Sequence, residues 1–559
     1  MTAVHPLIKE ILEKRGVTRP EEIEEFLSER PQRTYDPFLL SNMEEGVDFV
    51  LSAVKRGKMI YVYGDYDVDG ITSAALLVQV LGHMTDKARW YIPSRFDEGY
   101  GLNTEALKNI ASEGGEVVIT VDCGSVSFEE VEYGKRLGLE IMVTDHHSID
   151  GNMADCIVIN PKQAGDSYPF SGLAGCGVAF KLAQALQRRA GLPRAVLSEV
   201  LDLVGIATVA DIVPLVDENR TITKYGLNAL AETKRAGLLG LLKRIGIEGR
   251  GISAEDIAYN IAPHINAAGR MGEAREVVEL MLTGDSGKIE RLAEELSVLN
   301  NMRRAVQEEV FEMCCGIVEG AGSCKFNIVN AGDAHEGITG IVAGKLREKY
   351  GKPAIVLTDS KGSGGRAFLK GTGRSIPGLD LFAMLKNFEG LFEKFGGHAM
   401  ACGFLLPAEN EGRFREGLLG EAERFFAANP DIGKGGPEPD AMASPSDFSM
   451  PFVNELKLLG PFGNGNPAPI FAMENVYLDR VHYMGDRMQH VRFNVQGLQC
   501  VLFRYAKDYR AAIEAREPVT VYGSPSISVW NGRERVRFVA ESVERSVHER
   551  RGGRAEGHS

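Results

Sequence analysis

The chain is short of several things. It has two tryptophans in 559 residues, eight cysteines with no Cys-x-x-Cys pair, and no apolar run approaching the width of a bilayer. Without paired cysteines neither a zinc site nor a disulfide framework is suggested, and the reducing cytoplasm is the expected compartment. A membrane helix needs about 20 consecutive apolar residues, so no span is expected. The opening Met1-Thr2-Ala3-Val4-His5-Pro6 lacks the basic and apolar stretches of a secretory signal. Surplus positive charge is also missing: the formal net charge is −14. That argues against a protein that coats nucleic acid by bulk electrostatics, but not against a nucleic-acid enzyme, because the charge is uneven. Residues 476–559 hold 14 Lys and Arg against 10 Asp and Glu, a net +4, leaving −18 on the remainder.

What is present is an ordinary globular composition, 44% hydrophobic and 25% charged, in a chain long enough for three or four domains. Apolar runs at Met59-Ile60-Tyr61-Val62-Tyr63, Val117-Val118-Ile119-Thr120-Val121 and Ile141-Met142-Val143-Thr144 read as buried strands alternating with helices. The pattern predicts an α/β fold with a parallel sheet. A long charged helix is expected over 285–313, with Ile289, Leu292, Leu296 and Leu299 as its apolar stripe. It should lead into a second α/β unit with strands near 326–330 and 354–357 and a glycine-rich stretch over 362–378. Prolines and glycines over 429–446 read as a linker. Short alternating segments follow, with Asn531-Gly532 as a tight-hairpin signal, and predict a C-terminal all-β barrel. The expected domains are therefore 1–284 with N-terminal helices, the connecting helix 285–313, a second α/β domain 314–428, the linker 429–446, a β-domain 447–545, and a disordered tail 546–559.

Each of the three apolar strands ends in acid. Gly64-Asp65-Tyr66-Asp67-Val68-Asp69-Gly70 places three carboxylates at alternate positions, where they repel one another unless a cation lies between them. A solvated acidic turn is the plainer alternative. Asp122-Cys123-Gly124 and Asp145-His146-His147 close the other two strands, and a parallel sheet gathers such ends along one edge, where ligands bind. Carboxylates with one or two imidazoles suit Mn²⁺ or Mg²⁺, and two such ions are the usual means of displacement at phosphorus. Asp211 stands alone in the apolar segment 203–214, a costly place for a charge that coordinates nothing; a helix N-cap is its alternative role.

Taken in order, Asp-x-Asp-x-Asp-Gly, Val-Asp-Cys-Gly, Thr-Asp-His-His and Ala-Asp-Ile-Val-Pro-Leu resemble the four motifs of the DHH phosphoesterase superfamily. The segments 173–180, 263–270, 395–403 and 459–471 resemble its branch of single-stranded-DNA-specific exonucleases, and the likeness runs over roughly residues 5–545. The resemblance implies a DHH domain, a DHH-associated domain and an OB-fold. It implies two divalent cations: Asp67 and Asp122, with Asp65 as a further candidate, on one ion, and Asp69, Asp122, His146 and Asp211 on the other. His147 would sit beside the scissile phosphate, with Asp145 orienting its neighbours. The glycine clusters of the second half carry cations or imidazoles suited to phosphate. By the same likeness, Asn266, Arg270, His335, Arg366, Arg374, Ser375, Gly397 and His398 are substrate-binding candidates. In the OB-fold, Arg492, Phe503, Arg504, Trp530 and Arg533 combine charge with stacking surface for a single strand. His83 and His482 read as structural or surface residues.

The implied activity is hydrolysis of single-stranded DNA from the 5′ end to 5′-mononucleotides, in repair and recombination. The expected state is a cytoplasmic monomer, with a single-strand-binding protein or a helicase as partner. A small-substrate relative (an oligoribonuclease, cyclic-dinucleotide phosphodiesterase or pyrophosphatase) and an inactive replication scaffold are the alternatives.

Overall fold

The structure is a computed structural model. It describes residues 4–546 except 96, 97, 100, 150, 323, 362–366, 433–437, 487, 505, 506, 531 and 532, and not the side chains of 361, 529 and 530. Two compact units emerge, one of Met1–Arg33, Pro214–Val216 and Gly436–Ser559, the other of Thr34–Val213 and Asp217–Gly435. Among the described residues no helix is long and apolar enough to cross a membrane.

The larger unit opens on a five-stranded sheet of β1 (Ile60–Gly64), β2 (Ala88–Tyr91), β3 (Val117–Val121), β4 (Glu140–Thr144) and β5 (Ile157–Ile159). The order is β2-β1-β3-β4-β5 and every pairing is parallel. β1 and β3 are buried along their whole length, as continuous apolar runs in a covered parallel sheet should be. The helix Val68–Gly82 is apolar on nearly all sides because it packs against Gly175–Ala190 and Leu201–Ala210. Asp65, Asp122 and the Asp145-His146-His147 triplet follow directly on the carboxyl ends of β1, β3 and β4.

The connecting helix runs from Ser286 to Gly320, with the Asp285 carboxylate accepting from the Lys288 amide at its start. It is about 50 Å long. It passes the expected end at residue 313 because Cys314 and Cys315 are buried in the core of the second sheet, beside Val329, Val342 and Val356. That sheet comprises β6 (Asn327–Asn330), β7 (Ala354–Lys361), β8 (Ala367–Arg374), β9 (Lys394–His398) and β10 (Ala401–Pro407), in the order β6-β7-β8-β10-β9. Only β6 and β7 run parallel. The glycines read as phosphate loops at 371–373 and 396–397 lie in β8 and β9. A Cβ on Gly371 would run into the Phe404 ring, so close packing, not an open loop, is what requires glycine there.

The smaller unit is a seven-stranded sheet of β11 (Ala441–Met442), β12 (Phe471–Val476), β13 (Asp479–Met484), β14 (His490–Val495), β15 (Leu498–Leu502), β16 (Val519–Trp530) and β17 (Arg533–Arg545), ordered β11-β12-β16-β17-β15-β14-β13. Trp530 pairs with Arg533, while the Asn531-Gly532 hairpin signal lies outside the described residues. Phe452, Phe471, Phe493 and Phe538 fill its core together with Ile8, Ile11 and Leu12. The N-terminal helix Pro6–Lys14 thus completes this core, which corrects the expectation that it belongs to the first α/β domain. Its apolar stripe found a partner 450 residues away, where the Glu455 carboxylate also accepts from the His5 amide at 2.9 Å. Leu215 is buried in the same unit, its amide donating to the Asn464 carbonyl at 2.7 Å.

Candidate metal centre

The three strand ends and the end of helix Leu201–Ala210 converge on one buried cluster. His146 Nε2 lies 3.2 Å from Asp122 Oδ1, 3.6 Å from Asp211 Oδ2 and 3.8 Å from Asp69 Oδ2. His147 Nδ1 lies 4.0 Å from Asp122 Oδ1. Two overlapping sets, Asp69/His146/Asp211 and Asp122/His146/His147, have ligand atoms close enough to share an ion.

Local backbone chemistry aims each group. Asp67 caps helix Val68–Gly82, one carboxylate oxygen accepting from the Asp69 and Gly70 amides. Asp69 accepts from the Gly175 and Cys176 amides at 2.6 and 2.8 Å. His146 Nδ1 faces the Leu173 carbonyl at 3.0 Å, so the proton is placed on Nδ1 and the Nε2 lone pair turns to the acids. Asp145 accepts from the Ser125, His146 and His147 amides and from His147 Nδ1. Asn160 donates to the His147 carbonyl and to Ser125. Asp211 follows the last turn of helix Leu201–Ala210, which rules out the N-cap role; a helix C-terminus disfavours an anion.

The electrostatics call for a cation. Burial, then neighbouring carboxylates, raise Asp65 to about 8, Asp69 to about 7 and Asp211 to about 9, and push Asp122 well above the carboxylate range. Burial, then His147, lowers His146 to about 3. Asp145 goes the other way: burial opposes ionisation, but its bond to His147 and the amides hold it well below the usual range. Asp65 Oδ1, Asp122 Oδ1 and His146 Nε2 are buried without a hydrogen-bond partner among the described residues. Orphaned oxygens and an imidazole lone pair around one space are a donor set for a hard or borderline divalent ion, and Mn²⁺ or Mg²⁺ fits it.

The substrate-binding candidates divide. Asn266 and Arg270 line one cleft, and Arg270 Nη1 donates to the Gly337 carbonyl at 2.7 Å. His335 caps helix Glu336–Tyr350 through Gly337. Arg374 is half-buried, its Nη1 donates to the Gly373 carbonyl at 2.9 Å, and burial, then Arg347, lowers its pKa. Ser375 is a correction: it is wholly buried and its hydroxyl donates to the Leu379 carbonyl at 2.7 Å, so it is used inside the turn. Gly397 and His398 are exposed on β9, at the edge of the second sheet. Arg366 lies outside the described residues.

On the smaller unit, Arg492 of β14 and Arg533, Arg535 and Arg537 of β17 occupy the face opposite the Phe493 and Phe538 core. Phe503 is 41% exposed and packs edge-on against His490, whose Nδ1 accepts from the Arg504 amide. The Trp530 side chain lies outside the described residues.

Sequence reading missed the groups that orient the ligands. Leu173, the Gly175 and Cys176 amides and Asn160 act through backbone atoms or a lone amide, and none carries a compositional signal. Gly175 was visible only as part of a resembling segment. Here a Cβ on it would come within 2.5 Å of Asp122 Oδ1.

A parallel sheet with acids and histidines gathered at its carboxyl edge, joined by a long helix to a second α/β domain, defines a metal-dependent phosphoesterase of the DHH type. Residues 59–208 match the DHH family N-terminal domain, 324–423 the DHHA1 domain and 439–542 the RecJ OB domain. The single-stranded-DNA-specific exonuclease RecJ of Bacillus subtilis is 35% identical over 97% of this chain and 68% of its own length. Its Escherichia coli counterpart is 32% identical over 83% of both chains. The crystal structure of RecJ from Thermus thermophilus with Mn²⁺ superposes with a TM-score of 0.81 at 28% identity, covering 97% of this chain and 76% of that one. The chain belongs to the RecJ family.

Proposed function

We propose that the chain hydrolyses single-stranded DNA from the 5′ end, releasing 5′-mononucleotides with two divalent cations, in DNA repair and recombination. The observation that carries this reading is the buried acid–histidine cluster with three ligand atoms that have no hydrogen-bond partner among the described residues, in a chain whose relatives are named single-stranded-DNA-specific exonucleases. When bound, the cations neutralise non-bridging phosphate oxygens and make a bound water acidic. Asp65, Asp67 and Asp122 would hold one, and Asp69, Asp122, His146 and Asp211 the other. Asp145 fixes His147 beside the scissile phosphate. Arg270 and Arg374, each without a carboxylate partner among the described residues, offer bidentate donors to the strand. Arg492, Arg533 and the exposed Phe503 extend the grip. The intact acid–histidine set favours an enzyme over an inactive scaffold, and the matched OB domain favours a long strand over a dinucleotide.

The test is digestion of end-labelled strands. With Mn²⁺, a 5′-labelled strand should yield labelled mononucleotide at once, while a 3′-labelled one shortens progressively. Chelator should stop both reactions, as should Asp122→Ala or His146→Ala. A blunt duplex should resist, whereas a 5′ single-stranded tail should be attacked. Chelator-resistant digestion would overturn the metal mechanism, and attack on a 3′ tail would overturn the polarity.

A further inference from the structure

Beside the cluster lies a pocket of about 220 Å³ lined by Ala210 and Ile212, the two neighbours of Asp211, and by Pro263, Asn266, Arg270, Arg303 and Ile341. Its walls are aliphatic, yet two guanidinium groups reach it. Neither Arg270 nor Arg303 has a carboxylate partner among the described residues. Guanidinium groups left with neutral partners in a half-buried site keep their charge available to an anion.

Arg303 is held by a directional chain of hydrogen bonds. The Asn260 carbonyl, in the π-helical turn Ile257–Ile261, lies 2.6 Å from His264 Nδ1, which places the proton there. His264 Nε2 is then an acceptor and receives the Asn300 side-chain amide at 3.1 Å. That fixes the orientation of the buried Asn300, whose oxygen accepts from Arg303 Nε and Nη2 at 3.1 and 2.9 Å, while Gln307 accepts from Nη1 at 2.8 Å. Burial, reinforced by the charges of Arg303 and Arg304, lowers the His264 pKa against the opposing pull of the Asn260 carbonyl, in keeping with a neutral acceptor. Three of the five N–H groups of Arg303 are accounted for, and one on each terminal nitrogen remains. A structural arginine would be expected to spend its charge on an acid; this one is braced by amides and left charged.

We infer that this pocket seats one nucleotide of the strand next to the scissile phosphodiester, and that Arg303 is a positioning residue preset by Asn300 and His264. The base would lie against Ile212, Pro263 and Ile341, for which aliphatic walls are suited, and its phosphate would take the remaining N–H groups of Arg303 together with Arg270. The inference rests on the nuclease reading above and adds a subsite to it.

The experiment is steady-state digestion of a 3′-labelled single strand with Mn²⁺ by the full chain, with Mn²⁺ binding measured separately by calorimetry. Arg303→Ala should raise KM about tenfold or more and leave Mn²⁺ affinity unchanged, as removal of a charge-assisted contact predicts. Asn300→Asp is the discriminating variant. It neutralises the charge that Arg303 offers to the strand while keeping its brace, so KM should rise with circular dichroism and Mn²⁺ affinity unchanged, whatever melting temperature is lost with the amide donor that His264 Nε2 no longer receives. The wild type should also show a higher KM for a strand whose terminal residues are abasic. If the wild type digests the strand but KM stays within twofold in both variants, the role of Arg303 is overturned. If the abasic strand is handled like the intact one, the base-binding wall is overturned. No digestion by the wild type would instead overturn the nuclease reading on which the inference rests.

Discussion

Asp122 adopts φ +62°, a left-handed conformation rare outside glycine, at the point where its carboxylate meets His146. Strain of this kind persists only where the surroundings hold it, and here Gly175 leaves just enough room. Gly175→Ala should therefore displace Asp122 and reduce metal-dependent cleavage at least tenfold, checked alongside circular dichroism to show that the fold survives. The acids were legible in the sequence because strand ends of a parallel sheet must converge. Ser375 was not, because a hydroxyl beside glycines gives no sign of facing inward. The raised carboxyl groups also set a pH dependence. In the folded, metal-free protein Asp65, Asp69 and Asp211 titrate near 8, 7 and 9, far above their unfolded values near 4. The folded state thus holds protons that the unfolded chain has lost, and their contribution to stability is lost as pH rises through that window. In chelator, the melting temperature should fall from pH 6 to pH 9. Saturating Mg²⁺ should blunt the fall, and Asp122→Asn should lessen it by removing one of the raised groups. A metal-free melting temperature that stays level or rises in the wild type would contradict the assignment of this cluster as an unneutralised acid site.

At the scale of elements, β1, β3 and β4 were readable from continuous apolar runs, whereas β2 and β5 are short edge strands whose pairing comes from their neighbours. Gly371 of β8 shows why glycine is ambiguous in a sequence: it serves both an open phosphate loop and a strand pressed against an aromatic ring, and at this position only the partner Phe404 distinguishes them. The helix Pro6–Lys14 shows the converse. A helix was expected there, but the core that receives its apolar side was not, because the partner strands begin more than 400 residues later. Leu12 is fully buried in that core. Leu12→Ala should cost about 2–5 kcal/mol, the usual range for a large-to-small change at a buried site. Denaturant unfolding should show the loss in the transition of the β-unit and leave Mn²⁺ affinity unchanged. An unaltered midpoint would mean that the N-terminal helix contributes nothing to that core.

Over the whole molecule, the charge is divided by task. The acids that make the chain negative include those that await cations, while residues 476–559 carry a net +4 and display Arg492, Arg533, Arg535 and Arg537 on one face of their sheet. Affinity for a long strand should therefore depend on the β-unit through released counterions, even though the net charge of the protein opposes nucleic acid. Removing this unit cleanly requires more than deleting 429–559. That deletion alone would expose Ile8, Ile11 and Leu12, which are buried in the core of the β-unit, and would yield an aggregation-prone product. A fragment spanning 34–428 should be better behaved once Leu215, which is also buried in the β-unit, is replaced by a polar residue (Leu215→Ser). It should keep metal-dependent cleavage of very short oligonucleotides and lose affinity for long ones. The salt dependence should change as well: for every phosphate that the fragment no longer grips, the slope of log affinity against log salt should drop by about 0.7 on a single strand. Binding isotherms in chelator over a range of salt concentrations, for the full chain and the fragment, would measure this. A slope and affinity unchanged in a folded fragment would assign the β-unit to some task other than gripping DNA, with the metal centre left as the sole seat of the strand.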